Sequence, residues 1–348
     1  MKVALLVPNF SGYSGDARVV AHQAEELSLL GHEVSIFALS GDLESPSAQI
    51  YYLGMPKSLL WQRIYRLVFP LNFFTIIKWL PRFKEFDQIV VHLYPMTIFG
   101  FLAKQLYGVK YLFWFHGLED PSLFSRLHER LYMIIQIMMT KLTLHNVDQA
   151  VSVSLFAKKI LWEYMGVDSI VKYNEVNSEL FHKDIDGARI RQEYGIEDCP
   201  MILSIGRLVP QKKYDLLIKS HHVVKETIPN AKLMIIGKPT FSEYYEELKK
   251  LSDDSIIFVE YVPNEKLPEY YAACDVYATC SYWENHNLPV LEAKMCGKPV
   301  VAFDIPAFKE EVSETDVLVE KGNLDAFARA CINLILVSSE GKYENMHC

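Results

Sequence analysis

The chain opens with an apolar run, Val3-Ala4-Leu5-Leu6-Val7, stopped by Pro8 and by a polar, glycine-bearing stretch that reaches Gly15. From 16 to 30 the apolar residues Val19, Val20, Ala24 and Leu27 recur at helical spacing, Gly31 stops the pattern, and 33–38 is a second short apolar run. Short apolar runs bounded by turn formers predict buried strands, and the 3.6-residue spacing predicts an amphipathic helix. Together they predict a strand–loop–helix–strand unit, the opening of a doubly wound parallel sheet. Further runs at 88–93, 111–115 and 149–153 each lie beside a helical segment. Near Pro200 the rhythm restarts. Strands at 201–205, 231–236, 255–259, 276–278 and 299–303 alternate with helices at 215–227, 242–251 and 265–273. The simplest account is an α/β chain of two Rossmann-like, doubly wound domains, 1–178 and 179–348, with the polar stretch 182–199 reading as a linker. Ligands of such sheets bind outside the carboxyl ends of the strands. The chemistry is therefore to be sought in residues that follow strands, on a cleft that the two domains would share.

Composition narrows the functional class. Half of the 348 residues are hydrophobic, enough for two sizeable cores. The net charge of −8 lies in the second half, since residues 1–175 are close to neutral. An acidic half argues against nucleic acid, which needs a basic face. The six cysteines, Cys199, Cys274, Cys280, Cys296, Cys331 and Cys348, form no CxxC pair, so they read as buried thiols of a reducing cytoplasm and not as zinc ligands. The N-terminus reads as a first strand, too short for a signal peptide. The longest apolar stretch, 67–80, is interrupted by Pro70, Asn72 and Lys78, so no transmembrane span is expected.

The richest segment runs from Glu284 to Val301. Two carboxylates, Glu284 and Glu292, lie eight residues apart, the first in a polar loop and the second in the opening turns of a helix. Asn287 can cap that helix, Pro289 suits its first turn and Gly297 can end it. Backbone N–H groups at Asn287 and Leu288 would then face an anion, with two acceptors close by. A sugar joined to a diphosphate needs this mixture of donors for phosphate and acceptors for hydroxyls. A glycosidase would also use paired carboxylates, but from opposite walls of a cleft.

Gly206-Arg207-Leu208-Val209-Pro210-Gln211-Lys212 also follows a strand. Gly206 allows a tight turn, and the Arg207 fork and the Lys212 point charge both suit a diphosphate. An ordinary solvated basic loop would look the same. His116, after the strand 111–115 and before Gly117, is either a site residue or a core histidine bonded to a carbonyl. The loop from Phe10 through Gly12 and Gly15 to Asp16 lacks the strict GxGxxG fingerprint, so it is either a phosphate cradle or a flexible turn. Asp184-Ile185-Asp186 has the DxD pattern of metal–nucleotide sites, but no strand precedes it, and it reads as a solvated charge cluster.

Taken together these residues resemble the family-4 retaining glycosyltransferases of the GT-B fold, over nearly the whole chain. The most specific elements are the E-x7-E segment from Glu284 with its tail to Val300, and Gly206 to Lys212. Weaker matches are Gly12 to Val20, Gly31-His32-Glu33-Val34, Phe115-His116-Gly117, Val151-Ser152 and Asn174-Glu175-Val176-Asn177. The resemblance implies transfer of a hexose from a nucleotide-diphosphate sugar to a hydroxyl acceptor, with retained configuration and without a metal or other cofactor. Arg207 and Lys212 would hold the diphosphate, Glu284 the transferred sugar and Glu292 the ribose hydroxyls. His116 would touch the sugar, Gly15 would keep room near the diphosphate, and the backbone around Val262 would meet the base. The sequence departs from the family at Asn285-His286-Asn287, at Lys213 and at Glu260, the last two standing where glycines are usual. The altered Asn285–Asn287 loop motivates a second reading, a non-catalytic GT-B subunit that binds a nucleotide sugar or a partner transferase; a hydrolase or epimerase of similar fold is a third. The family usually continues with a further helix that crosses back to the first domain.

Residues 61–84 interleave Arg63, Arg66, Lys78, Arg82 and Lys84 with Trp, Phe, Leu and Ile, and 126–145 is similar but more apolar. These stretches are either two core-facing helices with solvated basic edges or a surface that rests on anionic lipid. The second case implies peripheral attachment on the inner face of a membrane and a lipid-linked glycan or surface polysaccharide as acceptor.

Overall fold

A computed structural model describes residues 1–12, 15–124 and 126–345. The chain divides into two compact units, Met1–Asn174 and Glu175–Cys348. The division falls slightly before the expected boundary at 178 because Phe181 is buried in the second unit's core, with Val176 and Leu180 packed against it.

The first unit runs β1 (Lys2–Phe10), α1 (Gly15–Leu29), β2 (Glu33–Gly41), β3 (Gln49–Tyr52), α2 (Leu59–Leu67), α3 (Phe73–Trp79), β4 (Gln88–Val91), α4 (Thr97–Tyr107), β5 (Lys110–Phe115), α5 (Leu127–Thr143), β6 (Gln149–Ser152), α6 (Leu155–Met165) and β7 (Ile170–Val171). Its strands form one parallel sheet in the order β3-β2-β1-β4-β5-β6-β7. Val3 to Val7 of β1 are all completely buried. A central strand covered on both faces reads as a continuous apolar run, which is why that run was legible.

The second unit runs α7 (Ala188–Glu193), β8 (Met201–Ile205), α8 (Tyr214–Thr227), β9 (Lys232–Ile236), α9 (Ser242–Leu251), β10 (Ile256–Val259), α10 (Leu267–Ala273), β11 (Val276–Thr279), α11 (Leu288–Met295), β12 (Val300–Phe303), β13 (Val317–Val319) and α12 (Leu324–Asn345). Its parallel sheet has the order β10-β9-β8-β11-β12-β13. Both units are therefore the doubly wound sheets that the sequence predicts.

The stretch 182–199 is not a linker. It carries α7, and Ile190 and Ile196 are buried in the core. Arg191 ties it down: its guanidinium donates to Asp275 Oδ2 at 2.8 Å and to the Cys199 carbonyl at 2.9 Å. Asp275 Oδ2 also accepts the Met201 N–H that opens β8. Asp184 and Asp186 are exposed, and Asp186 accepts the Ala188 N–H at the start of α7. Cys199, Cys274, Cys280, Cys296 and Cys331 are free thiols, all but Cys199 buried; Cys348 lies outside the described residues. Among the described residues no helix is long and apolar enough to cross a membrane.

Candidate functional site

Two loops meet at the carboxyl edge of the second sheet because β8 and β11 are neighbours in it. The loop after β8 carries Gly206, Arg207 and Lys212, and the loop after β11 carries Glu284. Lys212 Nζ donates to Glu284 Oε1, and the two side chains are only 19% and 11% exposed. The structure thus brings together a lysine and an acid that lie 72 residues apart in the sequence. Arg207, from the same loop, is exposed and forms no ion pair with a described residue.

The turn depends on two glycines. Gly206 has φ +152°, and its carbonyl accepts the Tyr214 hydroxyl at 2.9 Å. A Cβ on Gly237, just beyond β9, would lie 1.9 Å from the Gly206 carbonyl oxygen. Gly237 was not singled out in the sequence, because a glycine ending a strand has no signature of its own. Lys213 then starts α8 at φ 52°, ψ 43°, the left-handed region that disfavours any side chain. That angle explains why glycine is usual there. Glu260, the other departure, is exposed and has no such angle.

Helix α11 begins as expected. Asn287 is its cap, with φ −108°, and its side-chain oxygen accepts the Val290 N–H at 3.4 Å. An angle in the extended region asks for no glycine, so the bulkier Asn287 costs no backbone strain. Leu288 and Pro289 form the first turn. Glu292, one turn on, is fully buried, and Oε2 accepts the Tyr271 hydroxyl at 2.7 Å. Val262 lies beyond β10 with its side chain in the core.

One acid at this helix start escaped sequence analysis. Glu311 is 4% exposed and its Oε1 accepts the Asn287 N–H at 2.7 Å. Lys294, in the last turn of α11, donates to the Glu311 backbone carbonyl. Burial pushes the Glu311 carboxyl up to about 8, against the pull of the Asn287 N–H, and the nearby Glu284 carboxylate adds to the rise. Near neutral pH it is thus mostly protonated and adds little negative charge where an anion was expected. Glu311 Oε2 and Asn287 Nδ2 are buried without a hydrogen-bond partner among the described residues.

The first unit has its own cluster, again from adjacent strands. His92 follows β4 and His116 follows β5, and these strands pair. The ring nitrogens His92 Nδ1 and His116 Nε2 lie 2.8 Å apart, and His92 Nε2 lies 3.0 Å from Gln23 Oε1 on α1. Asp16, in the first turn of α1, places Oδ1 3.8 Å from His116 Nδ1. Gly117 has φ +99°, which only glycine adopts readily. A Cβ on Gly15 would meet no atom of the described residues within 4 Å, its chain neighbours and own helix backbone aside. Tyr13 and Ser14, from the same loop, lie outside the described residues. Among the described residues His116 is therefore neither isolated nor bonded to a carbonyl; it belongs to a pair of histidines that only the fold assembles.

Residues 13–179 match the family Glycosyltransferase Family 4, and residues 186–346 match Glycosyl transferases group 1. A GDP-mannose-dependent α-(1-6)-phosphatidylinositol monomannoside mannosyltransferase of Mycolicibacterium smegmatis is 31% identical over 175 residues, which is 46% of this chain and 45% of that protein. Among solved structures, the sucrose-phosphate synthase of Thermosynechococcus elongatus superimposes with a TM-score of 0.78 at 20% identity, covering 97% of this chain and 90% of the other. Anabaena Alr3699/HepE, solved in complex with UDP-glucose, gives 0.77 at 18% identity, covering 98% and 95%. With two parallel Rossmann-like sheets and both halves matched, the chain belongs to the family-4 glycosyltransferases of GT-B fold.

Proposed function

We propose that the protein transfers a hexose from a nucleotide-diphosphate sugar to a hydroxyl acceptor, with retention of configuration and without a metal ion. The observation that carries this reading is the meeting of Lys212 with Glu284, beside the exposed Arg207 and the start of α11. A departing nucleoside diphosphate gathers negative charge as its bond to the sugar stretches. Arg207, Lys212 and the N–H end of α11 supply positive charge there without a cation, an electrostatic role commonly worth several kcal/mol, roughly 3–4 per strong donor. A diphosphate arriving beside Lys212 competes with Glu284 for the ammonium and turns Glu284 toward the sugar hydroxyls. Glu292, oriented by Tyr271 but enclosed, accepts the ribose hydroxyls once uncovered. The backbone near Val262 receives the base and that at Leu288 the phosphate, while the Asn287 N–H, held by Glu311, reaches the sugar only if that bond opens. In the first unit we assign His116 to a sugar hydroxyl, with Gly15 leaving space at the start of α1. The phosphate oxygen that leaves takes the acceptor's proton. The HepE complex with UDP-glucose and the GDP-mannose dependence of the mycobacterial enzyme agree with this donor class.

The acceptor in this reading is lipid-linked. In the first unit Leu60, Trp61, Phe73, Phe74 and Ile77 are 59–80% exposed. α5 lies against α2 and leaves Leu127, Met138 and Leu142 equally open. The neighbouring Lys78 and Arg82 cations stand over the Trp79 ring, 5.3 and 4.9 Å from its centre. Large apolar side chains rimmed by cations suit an anionic lipid surface, and the enzyme would work there as a peripheral protein of the inner face.

The test is release of nucleoside diphosphate from a panel of UDP- and GDP-sugars by the wild type, Arg207→Ala and Glu284→Ala. The reading expects a loss of about 100-fold or more in kcat for each variant. Near-normal turnover in both would defeat it, and donor binding with no release by the wild type would favour the non-catalytic subunit.

A further inference from the structure

The histidine pair of the first unit has a fixed internal logic. Burial holds the His92 pKa well below the ordinary histidine value, with the neighbouring His116 adding to the drop, and burial lowers His116 too against the opposing pull of Asp16. Both rings are therefore neutral near pH 7, and a neutral imidazole has one N–H and one lone pair. Gln23 Oε1 can only accept, so at 3.0 Å it draws the His92 proton to Nε2. His92 Nδ1 is then a lone pair, and at 2.8 Å it draws the His116 proton to Nε2. His116 Nδ1 is left as a lone pair. The reverse order of protons needs the Gln23 amide nitrogen in place of Oε1 at His92, and it puts an N–H on His116 Nδ1 that Asp16 would have to accept to satisfy it. The separation of 3.8 Å is too long for that bond.

We infer that Gln23 and His92 are positioning residues that lock His116 in the tautomer whose Nδ1 accepts, so that His116 Nδ1 and Asp16 Oδ1 together form an acceptor pair for a hydroxyl-bearing ligand. Nothing in this pair donates to an anion, and the Asp16 carboxylate repels one. The spot accordingly selects the neutral, hydroxyl-rich part of a substrate and rejects phosphate. This deepens the assignment of His116 to a sugar hydroxyl and rests on it for its functional half. Gln23 lies 69 residues from His92, and His92 lies 24 from His116, so only the adjacency of β1, β4 and β5 with α1 brings them together. A second sphere that fixes a ring's tautomer and aim is a common device around working histidines.

The decisive measurement is the ring-nitrogen spectrum of the 15N-histidine-labelled protein near pH 7. The expected result is both His92 and His116 protonated at Nε2 and bare at Nδ1. A proton on His116 Nδ1, alone or together with one on Nε2, overturns the inference, and this readout needs neither substrate nor variant. The second arm compares His92→Leu, which removes the acceptor, with His92→Asn, which can offer a side-chain oxygen in its place. His92→Leu should release the His116 tautomer and lower kcat/KM for sugar transfer about tenfold, the scale of one lost hydrogen bond. His92→Asn should restore most of both, and affinity for the bare nucleoside diphosphate should be unchanged in either. An unaltered His116 tautomer in a folded His92→Leu protein overturns the positioning role. If no sugar nucleotide is turned over by the wild type, the functional reading falls, while the nitrogen shifts still decide the tautomer.

Discussion

The buried carboxyl of Glu311 makes a prediction whose sign and size follow from its surroundings. An ordinary glutamate releases its proton near 4.5, whereas this one holds it to about 8, mainly because burial disfavours the charged form. Between those values the unfolded chain is ionised and the native protein is not, so the native state binds one more proton. Its contribution is complete below about pH 4.5 and drains away as the pH rises through about 8, at about 1.4 kcal/mol per unit. Glu311→Gln keeps an oxygen for the Asn287 N–H and cannot ionise. The variant should come close to the wild type around pH 5 and exceed it by about 3–4 kcal/mol around pH 7.5, an order-of-magnitude value. Urea unfolding of both proteins across that range reads the difference, and groups common to both cancel. A difference independent of pH, or one that shrinks as pH rises, would show that Glu311 is ionised in the native protein, and the argument from burial would fail.

Other expectations rest on backbone geometry and on the apolar face. Lys213→Gly should raise stability by about 1 kcal/mol, because the left-handed angle at φ 52° penalises a side chain by about that much, less the contact of the ammonium with the Tyr282 ring; an unchanged or lower melting temperature contradicts it. Gly237→Ala should destabilise by more than about 3 kcal/mol or prevent folding of the second unit, since its methyl would overlap the Gly206 carbonyl; a melting temperature within a few degrees of the wild type would refute the need for glycine. Phe74→Asp, at a position 80% exposed, should abolish co-sedimentation with vesicles rich in anionic lipid and leave the fold intact. Equal sedimentation of variant and wild type would remove the apolar face from the membrane reading.

How much of this was readable beforehand divides along physical lines. The inner strands β1, β4, β5, β8, β9, β11 and β12 announced themselves because both faces are covered, so nearly every residue is apolar. β3 and β7 are edge strands of four and two residues, half exposed, and β13 is an edge strand of only three, too short a run to detect. α7 hid in a polar stretch because only Ile190 of its six residues is buried, while Arg191 holds it through a buried acid 84 residues away. The site divides in the same way. Arg207, Lys212, Glu284 and Glu292 stood out by residue type after strand ends, and the adjacency of β8 and β11 explains why the lysine meets the first acid. Glu311, His92 and Gln23 carry no local signal, since each acts through a hydrogen bond to a residue 24 or more positions away. The angle at Lys213 likewise became visible only in the backbone.

The central claim is that the loop after β8 grips a diphosphate with Arg207 and Lys212. Calorimetric titration of UDP and GDP into the wild type, Lys212→Met and Arg207→Ala tests it without waiting for an acceptor. The account predicts that one of the nucleotides binds the wild type at one per chain and that each variant weakens it by at least about tenfold, the scale of a lost charge-assisted hydrogen bond. Binding of equal strength in all three proteins, or no binding of either nucleotide to the wild type, would contradict it.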